Sequence, residues 1–384
     1  MQPFKLYNLK TFPETTVRLT KDQAQAYYKQ MQTIRHLEVA SGALYKEKVI
    51  RGFCHLYSGQ EACAVGIKAA MRDQDNVITA HRCHGWCYMM NISSAGILTE
   101  LTGRKTGCQR GKGGSMHMYS SHFYGGNGIV GSQVPLGTGI ALSCKYRKDG
   151  SVCFALYGDC AANQGQVFES FNTASAWKLP VVFVCENNSY DSNSSCNHNY
   201  YTRGNVLPGL WVDGMNILAV RSAAAFAIDY VSKNGPMIME VNTCRCSCQS
   251  RAASPSSALR EEIPVVHSRR DPILSFKKLC QERTISHEID EAVRKSITDP
   301  SIEVKELTDD IYSQNLESEI RCATGYTHSH NHIKTRAAAK PENSTNKISA
   351  SFFLAGLLLK FVINTTPVYQ KYSCVLNFIR YSYS

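Results

Sequence analysis

The sequence predicts an α/β protein, a mostly parallel sheet with helices on both faces, and three observations carry that expectation. VCFALY (152–157) and LPVVFVCENN (179–188) are near-continuous apolar runs that bracket a helical stretch, QVFESFNTASAWK (166–178). Strand, helix and strand within about 35 residues is a right-handed crossover joining parallel strands, and strands apolar on both sides need a helix layer on each face. WVDGMNILAVRS (211–222) and PMIMEVNT (236–243), around a helix at Ala223–Ser232, repeat the pattern. The 384 residues, 43% hydrophobic and 19% charged, are enough to bury a large core.

The elements follow in chain order. Residues 21–49 carry Ala26, Tyr27, Met31, Ile34, Leu37 and Leu44 at helical spacing, which predicts one or two amphipathic helices in an N-terminal arm, residues 1–50. From residue 51, helical stretches alternate with two glycine-dense loops, RKTGCQRGKGGS (104–115) and FYGGNGIVGSQVPLGTG (123–139), of the kind that lets backbone approach a ligand or another chain. The crossover units complete a domain at 51–322. Residues 323–350 are polar, and SFFLAGLLLKFVI (351–363) is broken by Lys360 and shorter than the roughly 20 residues of a membrane span. Residues 323–384 are expected to form a divergent, poorly ordered tail, and no membrane partner is expected.

Composition narrows the function classes. The net charge of +11 is scattered and suits an enzyme with anionic ligands, so no nucleic-acid partner is expected. The 16 cysteines lack the paired spacing of a zinc ribbon, and no secretory leader precedes them, which predicts free thiols in a reducing compartment. Cys244, Cys246 and Cys248 alternate rather than form C-x-x-C pairs, and His328, His330 and His332 are no stronger as a metal set.

In a parallel sheet, ligands bind beyond the carboxyl ends of the strands. Asp159 follows the first strand of the first crossover, and Asn187 and Asn188 end the second. If those strands are neighbours, Asp159 and Asn188 face a common point. A carboxylate, an amide oxygen, a backbone carbonyl and phosphate oxygens are what Mg²⁺ takes, and a helix starting near Gln164 turns its amides toward the same anion. The alternative is that Asp159 caps a helix and the asparagines make a turn.

G-D-x followed about 27 residues later by N-N is similar to the thiamine diphosphate motif. RGFCHLYSGQEACAVG (51–66), LTGRKTGCQRGKGGSMHMY (101–119), FYGGNGIVGSQVPLGTGIAL (123–142) and AANQGQVFES (161–170) resemble the alpha subunits of the mitochondrial pyruvate dehydrogenase, in a form close to that of insects, over residues 4–322. The resemblance implies a thiamine diphosphate-binding fold, a matrix location, and decarboxylation of pyruvate with transfer of the acetyl unit to lipoyl groups. It implies Mg²⁺ on Asp159, Asn188 and the Tyr190 carbonyl, with Gly158, Cys160 and Ala161 beside it. Gly128 and Val130 would meet the aminopyrimidine through their backbone. Arg82 and His81 would lie at the diphosphate, and His84 near the substrate. The implied partners are a beta subunit in an α2β2 tetramer, a lipoyl-bearing acetyltransferase core, and a regulatory kinase and phosphatase.

The departures from the family pattern cluster at that site. Cys160 stands where the family has glycine, and a side chain at a glycine-only backbone costs roughly 1–2 kcal/mol. His81 replaces a tyrosine. Gln249 aligns with the histidine of a G-H-S motif, and an amide cannot titrate near neutral pH. Ser250 matches the first regulatory phosphoserine and Ser256 or Ser257 the second. The stretch after Tyr190 is shortened, and the N-terminal residues lack an Arg-rich, acid-poor transit pattern. An impaired, non-catalytic paralogue that occupies the beta subunit is the competing expectation.

Overall fold

The computed structural model describes residues 4–17, 19–188, 199–204, 207–243, 271–276, 283–303, 319–320 and 328–329. Its sheet is built from β1 (Phe4–Tyr7), β2 (Asn76–Ile78), β3 (Cys153–Gly158), β4 (Val181–Asn187), β5 (Gly209–Asp213) and β6 (Met237–Asn242). Their order across the sheet is β1-β5-β6-β4-β3-β2, parallel throughout except for β1, which closes one edge antiparallel to β5. A separate antiparallel pair, β7 (Glu319–Ile320) with β8 (His328–Ser329), completes the strands described.

The strand order fixes where the helices lie. β3 leads through α6 (Gly165–Ala176) to β4, one step across the sheet; β5 leads through α7 (Ile217–Asn234) to β6, one step the opposite way. Right-handed crossovers travelling in opposite directions place their helices on opposite faces. The two cores agree: Ala155, Tyr157, Phe183, Cys185 and Ile238 pack with α5 (Gln133–Arg147) and α6. Phe154, Leu156, Val184, Met239 and Val241 face the other way, into the core with α1 (Lys21–Lys46), α2 (Glu61–Ala70) and α7. On that second side lie also α3 (His84–Met89), α4 (Ser94–Leu101), α8 (Pro272–Phe276) and α9 (Arg283–Thr298).

Local chemistry sets the helix boundaries. Thr20 and Gln23 form a capping box that starts α1 as one 26-residue helix, with Met31, Ile34, Leu37 and Leu44 on its buried side. The second crossover differs from expectation: its first strand ends at Asp213, and the helix begins at Ile217 rather than Ala223. The cause is Asn216, whose Oδ1 accepts the Leu218 and Ala219 N–H groups at 3.1 and 3.2 Å and so opens α7 six residues early. Gly235, at φ 101°, ends α7 in a backbone that other residues rarely adopt.

The described residues belong to the unit Met1–Asn331. Apart from His328–Ser329, the expected tail at 323–384 lies outside them, as do the regions of Cys244–Cys248 and of the apolar run at 351–363. No helix among the described residues is long and apolar enough to cross a membrane.

Candidate functional site

β3 and β4 are neighbours in register, Gly158 opposite Glu186, so the residues that follow them meet beyond the sheet. The Asn188 N–H donates to Asp159 Oδ2 at 3.1 Å, and the Cys160 N–H donates to Asp159 Oδ1 at 3.0 Å. Asn188 in turn accepts the Thr243 hydroxyl at 3.0 Å, which brings the end of β6 to the same place. An added Cβ at Gly158 or Gly165 would meet nothing within 4 Å, so there is open room beside the carboxylate and before α6. Carboxylate and amide oxygens are hard donors of the kind Mg²⁺ takes. Tyr190 lies outside the described residues, and among those described no three His, Cys, Asp or Glu side chains group as metal ligands.

Cys160 does not carry the strain expected of it. Asp159–Ala161 form one 3₁₀ turn, and Cys160 is absent from the positive-φ positions of the chain. Such a backbone suits any residue, and the side chain is exposed. Ala161, by contrast, is buried under α5 and α6.

On the neighbouring loop, Arg82 donates to the Leu56 carbonyl at 2.7 Å, and His81 stands edge-on to His55 at 4.5 Å between ring centroids. His84 is 0% exposed, and both its nitrogens are engaged within the protein: Nδ1 with Glu38 Oε2 at 3.0 Å, Nε2 with the Ser115 carbonyl at 3.0 Å. Burial opposes its charge, but the Glu38 carboxylate outweighs burial and holds the imidazole up at about 9. Beneath Asp159, Glu186 is buried and accepts the Tyr57 hydroxyl at 2.7 Å; burial, with a contribution from Asp159, raises its carboxyl to about 7.

Both glycine-dense loops are tied down. Glu100 accepts the N–H groups of Gln109, Gly111 and Gly113 at 2.7, 2.9 and 2.6 Å, so one carboxylate organises the first loop. In the second, Ile129 donates to Asn127 Oδ1 at 2.9 Å and the Val130 carbonyl accepts Gln166 at 3.3 Å, while Gly128, Ile129 and Val130 stay exposed. Gln249, Ser250, Ser256 and Ser257 lie outside the described residues.

Sequence reasoning missed Glu38, Glu100, Glu186 and Tyr57. One signal was present: Glu38 falls at i+7 from Met31 and i+4 from Ile34, so a carboxylate occupies the apolar stripe of α1.

Comparison with known proteins gives the family. The family model described as dehydrogenase E1 component matches residues 29–311. The type I alpha subunit of the mitochondrial pyruvate dehydrogenase E1 component of Ascaris suum is 50% identical over 343 residues, 84% of this chain and 87% of the relative. A probable counterpart in Caenorhabditis elegans is 50% identical over 84% of this chain and 86% of its own length. The human somatic form is 48% identical over 338 residues, 83% of this chain and 87% of the relative. The chain therefore belongs to the dehydrogenase E1 component family, among its mitochondrial pyruvate dehydrogenase alpha subunits.

Proposed function

We propose that this chain is the alpha component of a thiamine diphosphate-dependent pyruvate dehydrogenase in mitochondria, with the diphosphate and Mg²⁺ seated at the carboxyl ends of β3 and β4. The observation that carries the reading is the 3.1 Å hydrogen bond from the Asn188 backbone N–H to Asp159 Oδ2, which joins the ends of β3 and β4 beside glycines with open space before them. When bound, thiamine diphosphate supplies the electron sink that allows a 2-oxo acid to lose CO₂. Asp159 and Asn188, with the Tyr190 carbonyl, would take the metal, and the α6 amides favour the anion it carries. Arg82, with His81 beside it, would hold the diphosphate; Gly128 and Val130 would offer backbone to the aminopyrimidine.

His84 acts through what it holds: with both nitrogens engaged, it supports the first glycine-rich loop at Ser115. Family kinship supports a beta subunit as the partner that completes the site, and exposed Ile129, Leu136, Leu142 and Tyr146 are suited to a protein surface. Kinship also underlies the lipoyl-bearing core as acceptor and a kinase and phosphatase acting at Ser250 and Ser256. The non-catalytic reading is not favoured: relatives about 50% identical over most of the chain are pyruvate dehydrogenase alpha subunits, and the strain at Cys160, one of the departures behind that reading, is absent.

The test is calorimetric titration of thiamine diphosphate with Mg²⁺ into the chain assembled with a pyruvate dehydrogenase beta subunit, followed by pyruvate-dependent CO₂ release. Binding and turnover are expected, and both should be lost in Asp159→Ala. Assembly without cofactor binding in the unmutated protein would overturn the reading.

A further inference from the structure

Glu38 is wholly buried in the middle of α1, and each of its oxygens has its own task. Oε1 accepts the Tyr57 N–H at 2.8 Å, and Oε2 meets His84 Nδ1 at 3.0 Å. From there the contacts branch. Leu56, the residue before Tyr57, gives its carbonyl to Arg82 at 2.7 Å, while the Tyr57 hydroxyl donates to Glu186 at 2.7 Å. His84 Nε2 reaches the Ser115 carbonyl at 3.0 Å and the Ser115 hydroxyl at 3.3 Å, at the end of the loop that Glu100 gathers. The same segment is tied to α1 a second time, because Gly59 N–H donates to Glu61 at 2.9 Å and Glu61 pairs with Arg35.

We propose that Glu38 is a positioning residue for cofactor binding: one carboxylate of α1 fixes at once the Tyr57 segment that seats Arg82 and, through His84, the glycine-rich loop at Ser115. This rests on the reading of Arg82 as a diphosphate ligand. A buried carboxylate bonded to a backbone N–H and to an imidazolium is unusual in a helix whose other inward residues are mostly apolar, and it costs desolvation that a hydrophobic residue would not. What it provides is a rigid connection between three segments distant in sequence, and a binding site gains from support of this kind behind the groups that touch the ligand.

Glu38→Gln is the informative variant. Its amide oxygen can keep the Tyr57 N–H, and its NH₂ can donate to a neutral His84 whose Nε2–H still faces Ser115, so the fold is retained while the charge that strengthens both bonds is lost. In the complex with a beta subunit, half-saturation by thiamine diphosphate with Mg²⁺ is expected to rise about tenfold, while kcat at saturating cofactor stays within about twofold. Amide exchange at residues 55–57 and 115–117 should quicken by a similar factor. Asn216→Ala, which removes the α7 cap but none of the hydrogen bonds of this network, controls for lost stability and should leave the cofactor half-saturation unchanged.

An unchanged half-saturation in Glu38→Gln, or an equal rise in the Asn216→Ala control, would overturn the proposal. If the unmutated complex binds no cofactor, the functional reading fails instead. The exchange arm then decides the positioning role alone, and unaltered exchange at both segments defeats it.

Discussion

Cys160 and glycine differ at this position in the unfolded chain more than in the folded one. The 3₁₀ turn gives Cys160 an ordinary right-handed backbone, so no strain is released by removing its side chain. Glycine would instead lose more conformational freedom on folding, and Cys160→Gly is expected to lower stability by roughly 0.5–1 kcal/mol in urea unfolding. A gain in stability would show that strain is present after all. His84 yields a second prediction with a defined sign. Its folded value of about 9 stands above the ordinary 6.5, so the pairing with Glu38 stabilises fully below about pH 6.5 and is lost as pH rises through about 9. Unfolding free energies of the unmutated chain and Glu38→Gln should differ by on the order of 3 kcal/mol at pH 6 and converge above pH 9. A gap that does not narrow with pH would assign the difference to packing. Asp159 and Asn188 were legible in the sequence because a parallel sheet brings successive strand ends together. Glu38 with His84 was not, because nothing local pairs residues 46 positions apart.

At the scale of elements, the first glycine-rich loop is held by a single acidic side chain of α4. A Cβ at Gly113 would stand 2.0 Å from the His117 carbonyl oxygen, so the loop passes too close to itself for any other residue there. The amides of Gln109, Gly111, Gly113 and Gly114 converge on Glu100, whose carboxyl burial raises and whose backbone partners pull back down. Glu100→Ala would leave those donors without their acceptor, at about 1–3 kcal/mol for each that water does not reach. Faster amide exchange confined to residues 109–114 is the expected result; protection retained there would show that the loop closes without Glu100. Glycine density announced this loop in the sequence, but its acceptor was hidden because Glu100 reads as an ordinary charge near a helix end. The start of α7 was misplaced for a related reason: the apolar run from Ile217 to Val220 suits a strand or a helix equally well, and only the Asn216 side chain decides between them.

At the scale of the whole molecule, α5 is apolar on both sides. Val134, Ala141 and Cys144 pack inward, while Gly139, Leu142 and Tyr146, at i, i+3 and i+7, share an outward face beside Leu136. Tyr146 is 87% exposed and Leu142 43%, more apolar surface on one helix than the chain by itself can use. Gly139 lies in the middle of that face, and a Cβ added there would meet nothing within 4 Å. A glycine inside a helix costs up to about 1 kcal/mol relative to alanine, so Gly139→Ala should stabilise the isolated chain. If another helix crosses at Gly139, the added methyl must also hold the two apart, and assembly should weaken. The prediction is thus a split: a higher unfolding midpoint for the chain alone and a weaker complex with the beta subunit, read by urea unfolding and by sedimentation of the mixture. A stabilised chain that assembles as well as the unmutated one would move the interface off this face. A chain that loses both would mean that Gly139 serves the fold of α5 itself.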